Sequence, residues 1–193
     1  MIQKTEIRNL EVEYEVVNRK VKNARLEIKT DQIRIIMPLN HFNHEEIIRN
    51  HEKWIYNKIS NIKALQLKAE KKELNSHVNE DIFRNMVRDW ILEFSNDLGV
   101  DFNRVFFKKM RSRWGSCSSK KNLNINRYLM FLPNHLVEYV VFHEVAHLVE
   151  MSHNKKFWHI ISMRFPNYKE LENELLIYWL KVKKFIEKGY LKI

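Results

Sequence analysis

A single cysteine, Cys117, stands in 193 residues, so no disulfide can form within the chain. With no staples available the fold must rest on its core, and an apolar share of 45% is enough for one. Also missing is any apolar run near the roughly 18 to 20 residues that cross a bilayer. Tyr139 to Phe142 is apolar, but Glu138 and His143 bound it. With no signal segment and no disulfide framework, the expectation is a reducing cytoplasm and no membrane. Proline and glycine number three each and act as punctuation. Internal repeats and low-complexity linkers are absent, so the β-rich start and the later part are expected to pack together.

Acidic residues are outnumbered. Lys and Arg total 34 against 24 Asp and Glu, a net charge of +10. Such a balance suits an anionic partner, nucleic acid being the sharpest reading. Local clusters lie at Lys68, Lys71 and Lys72, at Lys108, Lys109, Arg111 and Arg113, and at Lys181, Lys183 and Lys184. Paired-cysteine zinc fingers are excluded by composition.

Residues 1 to 38 read as strands. Apolar and acidic residues alternate from Glu11 to Val17, the period of a half-buried strand. Ala24 to Thr30 alternates again, a turn follows at Thr30-Asp31-Gln32, and Ile33 to Met37 stops at Pro38. Short connections predict an antiparallel meander. Asn43 and Glu46 form a capping-box pattern that opens a helix carrying Ile47, Ile48, Trp54, Ile55, Ile59 and Ile62. After a polar break at Asn75-Ser76, a second helix has Ile82, Met86, Trp90, Ile91 and Phe94 as its apolar stripe. Gly99 is its left-handed stop. Strand signal returns from Asn103 to Leu132, with a turn over Ser119 to Asn122 and a strand from Leu123 to Phe131. A helix is expected from Pro133 to about Glu150, another from Asn154 to Arg164 closed by Phe165-Pro166. A last helix opens on the capping-box pattern Asn167 to Glu170 and runs to about Lys188.

The helix from Pro133 contains His143-Glu144-x-x-His147, followed by His153. Histidines four apart share one helix face, a spacing that lets two imidazoles grip one tetrahedral ion, zinc first. Glu144 follows the first ligand directly, so its carboxylate can reach a water beside the metal without ligating it. A continuous helix would carry His153 away, so the chain must fold back near Glu150 to Ser152 for His153 to be the third ligand. Three imidazoles leave a fourth position open, the catalytic arrangement. Glu144 is then the general base for attack on a carbonyl. The oxyanion needs a further donor, for which Arg113, Arg127 and Tyr128 are the candidates. His159 reads as a surface residue, and His135 as a residue of the same helix outside the ligand set. His41, His44, His51 and His77 show no ligand pattern. Cys117 is read as a packing residue of a strand, with a catalytic thiol as the rival.

Five segments stand in the order found in the YgjP-like zinc metallopeptidase family, which the chain resembles over nearly its whole length. They are Arg113-Trp114-Gly115-Ser116-Cys117-Ser118, Asn126-x-x-Leu129, Leu132-Pro133, Tyr139 to Leu148 and His153-x-x-x-Phe157-Trp158. The resemblance implies a zincin-like α+β fold: N-terminal antiparallel strands, helices, a small sheet, then the metal-binding helix and C-terminal helices. It implies one zinc per chain on His143, His147 and His153, with Glu144 as acid/base, and a peptide or protein substrate. The wider group includes SprT-like proteases that act on DNA-bound proteins, so a DNA-associated protease is one alternative. A non-peptidase amidohydrolase is another. Glu150 stands where metzincins with this histidine spacing carry glycine, and Met151-Ser152 where the family often has asparagine or aspartate, so the turn to His153 must be built differently. Glu150 reads as a hydrogen-bonding or solvent-facing residue, with ligation as the alternative. The chain is read as a single metallopeptidase domain, 1–193, with a β-rich part over 1–75 and a catalytic part over 76–193. A strand of the Asn103 to Phe131 sheet is expected to hold an extended peptide by edge pairing.

Overall fold

The computed structural model describes residues 2–29, 32–39, 43–76 and 79–191. Thr30 and Asp31 of the expected turn, and His41 and His77, lie outside them. The chain divides into two compact units, Met1–Glu70 and Lys71–Ile193.

The first unit holds β1 (Ile2–Ile7), β2 (Leu10–Arg19), β3 (Arg25–Lys29) and β4 (Gln32–Pro38), in the order β1-β2-β4-β3. Along β2, Val12 and Tyr14 are buried while Glu11 and Glu13 face out, as the alternation requires. The sheet is not a pure antiparallel meander. β2 and β4 pair in parallel, from Tyr14↔Ile33 to Arg19↔Pro38, whereas β1 with β2 and β3 with β4 are antiparallel. The need for a long crossover applies to parallel neighbours joined directly, and here β3 is itself the return path. Residues 20–24 span about 17 Å when extended, more than the roughly 10 Å across two strand positions. β4 is thereby placed centrally, with both Ile35 and Ile36 buried.

Asn43 caps α1 (His44–Asn50) by accepting from the Glu46 N–H at 3.3 Å, and its Nδ2 donates to Glu46 Oε2 at 2.9 Å. The single helix expected here is broken at His51, whose backbone N–H is shared between the carbonyls of Ile47 and Ile48, and α2 (Glu52–Glu70) follows. Ile48 and Ile55 are buried, but Trp54 is exposed and leaves the expected stripe.

In the second unit α3 (Glu80–Leu98) is capped by Asn79 and ends at Gly99, which takes the left-handed conformation (φ 63°). The buried stripe is Phe83, Val87, Ile91 and Phe94; Ile82 points to solvent, so the face is rotated by one residue from the expected one. A second sheet follows, with β5 (Arg104–Lys108), β6 (Gly115–Cys117) and β7 (Asn122–Asn126) in the order β5-β7-β6. β7 is shorter than expected. Asn126 accepts from the Tyr128 N–H, and Arg127–Phe131 turns into a 3-10 helix that buries Leu129 and Met130.

The core of this unit is α4 (Asn134–Ala146), apolar around most of its circumference and therefore packed on several sides. It lies against α3, β6, β7, α5 (Lys155–Arg164) and α6 (Tyr168–Glu187). Arg164 of α5 ties three helices together, reaching Glu93 and Asp97 of α3 and Glu138 of α4. Asn167 and Glu170 do not form the expected capping box; the Asn167 side chain makes no capping hydrogen bond. No described helix is long and apolar enough to cross a membrane.

Candidate metal centre

α4 stops at Ala146, earlier than expected, and the chain turns back over residues 147–152. Glu150 builds this turn. Its Oε1 accepts from the Ser152 N–H at 3.3 Å and from the Ser152 hydroxyl at 3.1 Å, while its backbone carbonyl lies 3.1 Å from His147 Nδ1. Those two Ser152 bonds hold the Glu150 carboxyl below the usual range. Asn154 then caps α5 by accepting from the Lys156 and Phe157 N–H groups.

The result brings His143, His147 and His153 together, with one ring nitrogen from each lying within 4.8 Å of the others. Among the described residues no other trio of histidine, cysteine or carboxylate groups meets in this way. His143 Nε2 and His153 Nε2 stand 2.9 Å apart. Aromatic rings fix the imidazole planes: Phe157 stacks on His147 at 4.5 Å, and Trp158 stacks on His153 at 5.6 Å and on Tyr168 at 5.0 Å. Burial, with the two neighbouring imidazoles, lowers His143 to about 3, so its nitrogen stays a lone-pair donor at neutral pH. The Glu150 carbonyl accepts a hydrogen bond from His147 Nδ1–H, which leaves Nε2 as the lone-pair nitrogen.

Glu144 packs against Gly115 of β6 and is 5% exposed. A Cβ built on Gly115 would stand 2.5 Å from Glu144 Cγ and Oε1, so β6 needs glycine there to let the carboxylate lie flat against it. Glu144 Oε2 is buried without a hydrogen-bond partner. Burial pushes this carboxyl up to about 8, with Arg113 pulling the other way. Three converging imidazoles, with an orphaned buried carboxylate oxygen on the helix that carries two of them, fit a divalent cation, whose charge would return Glu144 to its ionised form.

The family described as YgjP-like, metallopeptidase domain, matches residues 66–177, more than half of the chain. The chain belongs to this YgjP-like metallopeptidase family. No curated protein matches it by sequence. Among solved structures it is similar to the metallopeptidase zymogen abylysin of Pyrococcus abyssi, at 22% identity and a TM-score of 0.43 over 47% of this chain and 91% of that one. It is also similar to the metallopeptidase zymogen jannalysin of Methanocaldococcus jannaschii, at 25% identity and a TM-score of 0.40 over 53% of this chain and 96% of that one. In this YgjP-like domain a small sheet lies on the helix that carries His143 and Glu144, and further helices pack against that helix, an α+β arrangement.

The oxyanion candidates separate. Arg127 is engaged by Glu80 and Tyr128 is buried, whereas Arg113 is exposed and its charge is felt by Glu144. His135 pairs with Glu174 at 3.1 Å and His159 is exposed, so both stand apart from the trio. Burial and Glu144 push the Cys117 thiol up to about 11, which disfavours the thiolate a nucleophile needs.

Two groups escaped the sequence reading. Asn126, fully buried, donates to the carbonyls of Met110 and Arg113 and accepts from the N–H groups of Met110 and Tyr128, so three of its side-chain hydrogen bonds fix the loop before β6 and the fourth caps the 3-10 helix. Glu172 on α6 accepts from the Tyr139 hydroxyl at 2.6 Å and lies 3.9 Å from His143 Nδ1. Asn126 could have been found from its place just before a 3-10 turn. An acidic residue on an amphipathic helix gives no comparable signal for Glu172.

Proposed function

We propose that this metallopeptidase is zinc-dependent, that His143, His147 and His153 hold one zinc per chain, and that Glu144 is the general base that cleaves a peptide bond. The convergence of three imidazole nitrogens within 4.8 Å carries the reading. Imidazole-only ligation suits zinc among the common cytoplasmic divalent ions. Zinc would supply the Lewis acidity that polarises the carbonyl and activates a water. Glu144, next to His143 in sequence and ionised by the cation's charge, would accept that water's proton and pass it to the leaving amine. Arg113, exposed and close enough for Glu144 to feel its charge, is the candidate donor for the developing oxyanion. β6 pairs only with β7 among the described strands, so its other edge is open to an extended substrate, whose backbone would add as a further strand. Residues 1–193 act as one cytoplasmic peptidase on this reading. The lone, half-buried Cys117 accords with a reducing compartment.

Metal content by elemental mass spectrometry, followed by a casein digest, tests this. Wild type should carry about one zinc per chain, His153→Ala should lose it, and Glu144→Gln should keep it while losing cleavage. A wild type that takes up no zinc on reconstitution overturns the reading. Zinc uptake without cleavage of any peptide would turn it to a narrow amidohydrolase.

A further inference from the structure

Between Asp101 and Glu138 the chain contains no acidic residue at all. This stretch builds the entire second sheet and the loops that flank Glu144. Lys108, Lys109, Arg111, Arg113, Lys120 and Lys121 are all exposed there. None of these six makes an ion pair with a described carboxylate. Elsewhere in the same unit many cations are answered. Lys72 meets Glu174, Arg84 and Arg127 meet Glu80, and Arg164 meets three carboxylates.

Sheet register divides the six into two groups. Gly115 lies opposite Ile125 and Lys108 opposite Asn126, so Lys108, Lys109, Arg111 and Arg113 gather at the end of the sheet that meets Glu144. Cys117 lies opposite Leu123, and Lys120 and Lys121 form the turn beyond it, at the other end. β6 between them is three residues long, about 10 Å. Unpaired cations thus bracket the open edge of the strand nearest the carboxylate. Asn126 fixes one bracket through the Met110 and Arg113 carbonyls.

We infer that the open edge of β6 selects extended peptides bearing acidic side chains at both ends of the segment that pairs with it. The inference rests on the peptidase reading above and names its substrate class. An extended segment on β6 would project side chains at one end towards Lys108 to Arg113 and at the other towards Lys120 and Lys121. Nucleic acid fits less well. Single strands bind on aromatic platforms, and Phe106, an exposed aromatic ring of this sheet, already carries the Lys108 ammonium 4.8 Å from its centroid.

Fluorescence anisotropy on zinc-loaded Glu144→Gln protein tests the inference, using three probes. These are a peptide with glutamates on both flanks of a neutral core, the same core flanked by glutamines, and a single-stranded oligonucleotide of equal net charge. The acidic peptide should bind about tenfold more tightly than the neutral one at low salt, and the gap should close at high salt. Lys120→Glu with Lys121→Glu should cut the preference severalfold by reversing one bracket, and Lys120→Arg with Lys121→Arg should keep it. Circular dichroism checks that each variant is folded. Equal affinity for the two peptides, or tighter binding of the oligonucleotide, overturns the inference. Failure of the peptidase reading would show separately, as zinc-loaded wild type that cleaves neither peptide, while the anisotropy still decides whether β6 prefers acidic ones.

Discussion

Gly115 and Glu144 occupy adjoining space that no β-carbon can share. A methyl group on Gly115 would sit 2.5 Å from the Glu144 carboxylate, although the glycine's backbone takes no positive φ. What the position demands is close approach, not conformational freedom. Gly115→Ala should therefore displace either Glu144 or β6 while leaving the histidine trio intact. Peptide cleavage should fall about a hundredfold, as displacements near 1 Å do, with zinc content unchanged by elemental analysis. Loss of zinc in Gly115→Ala would show that the two features are not separable.

Much of this site was legible in the sequence because its parts are local. The helical spacing of His143 and His147 needs no tertiary information, and the required fold-back before His153 follows from helix rise alone. The stop at Gly99 and the cap at Asn43 were legible for the same reason. Position 150 shows how a missing glycine is replaced, since the Glu150 carboxylate closes the turn through Ser152. Non-local relationships were not legible. Strand β4 chose β2 as a parallel neighbour because β3 could travel outside it, and no alternation pattern records which gap a strand fills. Ile82 and Trp54 fell outside their buried stripes because an apolar side chain one residue off the face matches the same periodicity. The β7 strand ended early because Asn126 spends its side chain on the Met110 to Arg113 loop and on the first turn of the 3-10 helix.

Cys117 should behave as a closed thiol. With its pKa pushed up from 9.0 to about 11, first by burial and then by Glu144, the thiolate is scarce at pH 8. Iodoacetamide should alkylate it about a hundredfold more slowly than an unperturbed thiol, and the rate should climb as pH rises towards 11. The sign for stability follows. The folded thiol keeps its proton at a pH where the unfolded one has lost it, so this group's contribution is complete below about pH 9 and is lost as pH rises through about 11. Cys117→Ala should still cleave casein. Rapid alkylation at pH 8, or inactivity of Cys117→Ala with zinc retained, would restore the thiol as a participant.

His143 has its second nitrogen turned towards α6, where Glu172 waits 3.9 Å from Nδ1. That is long for a hydrogen bond, and the carboxylate is partly exposed, so the contact adds little stability of its own. Its position is nevertheless fixed from within the core, because the fully buried Tyr139, one helical turn before His143, donates its hydroxyl to the same Oε1 at 2.6 Å. A carboxylate held there favours the tautomer with the proton on Nδ1, which leaves Nε2 directed at His153 and raises its basicity as a ligand. Glu172→Gln should weaken zinc binding about tenfold in a chelator competition, near the lower end for such partners. Tyr139→Phe should act in the same direction and more weakly, because Glu172 remains but is free to swing. The double variant should be no worse than Glu172→Gln alone, since the tyrosine acts only through the glutamate. Additive losses would instead assign Tyr139 a separate packing role against Phe165, 5.4 Å away, and unchanged affinity in Glu172→Gln would remove the carboxylate from the metal centre.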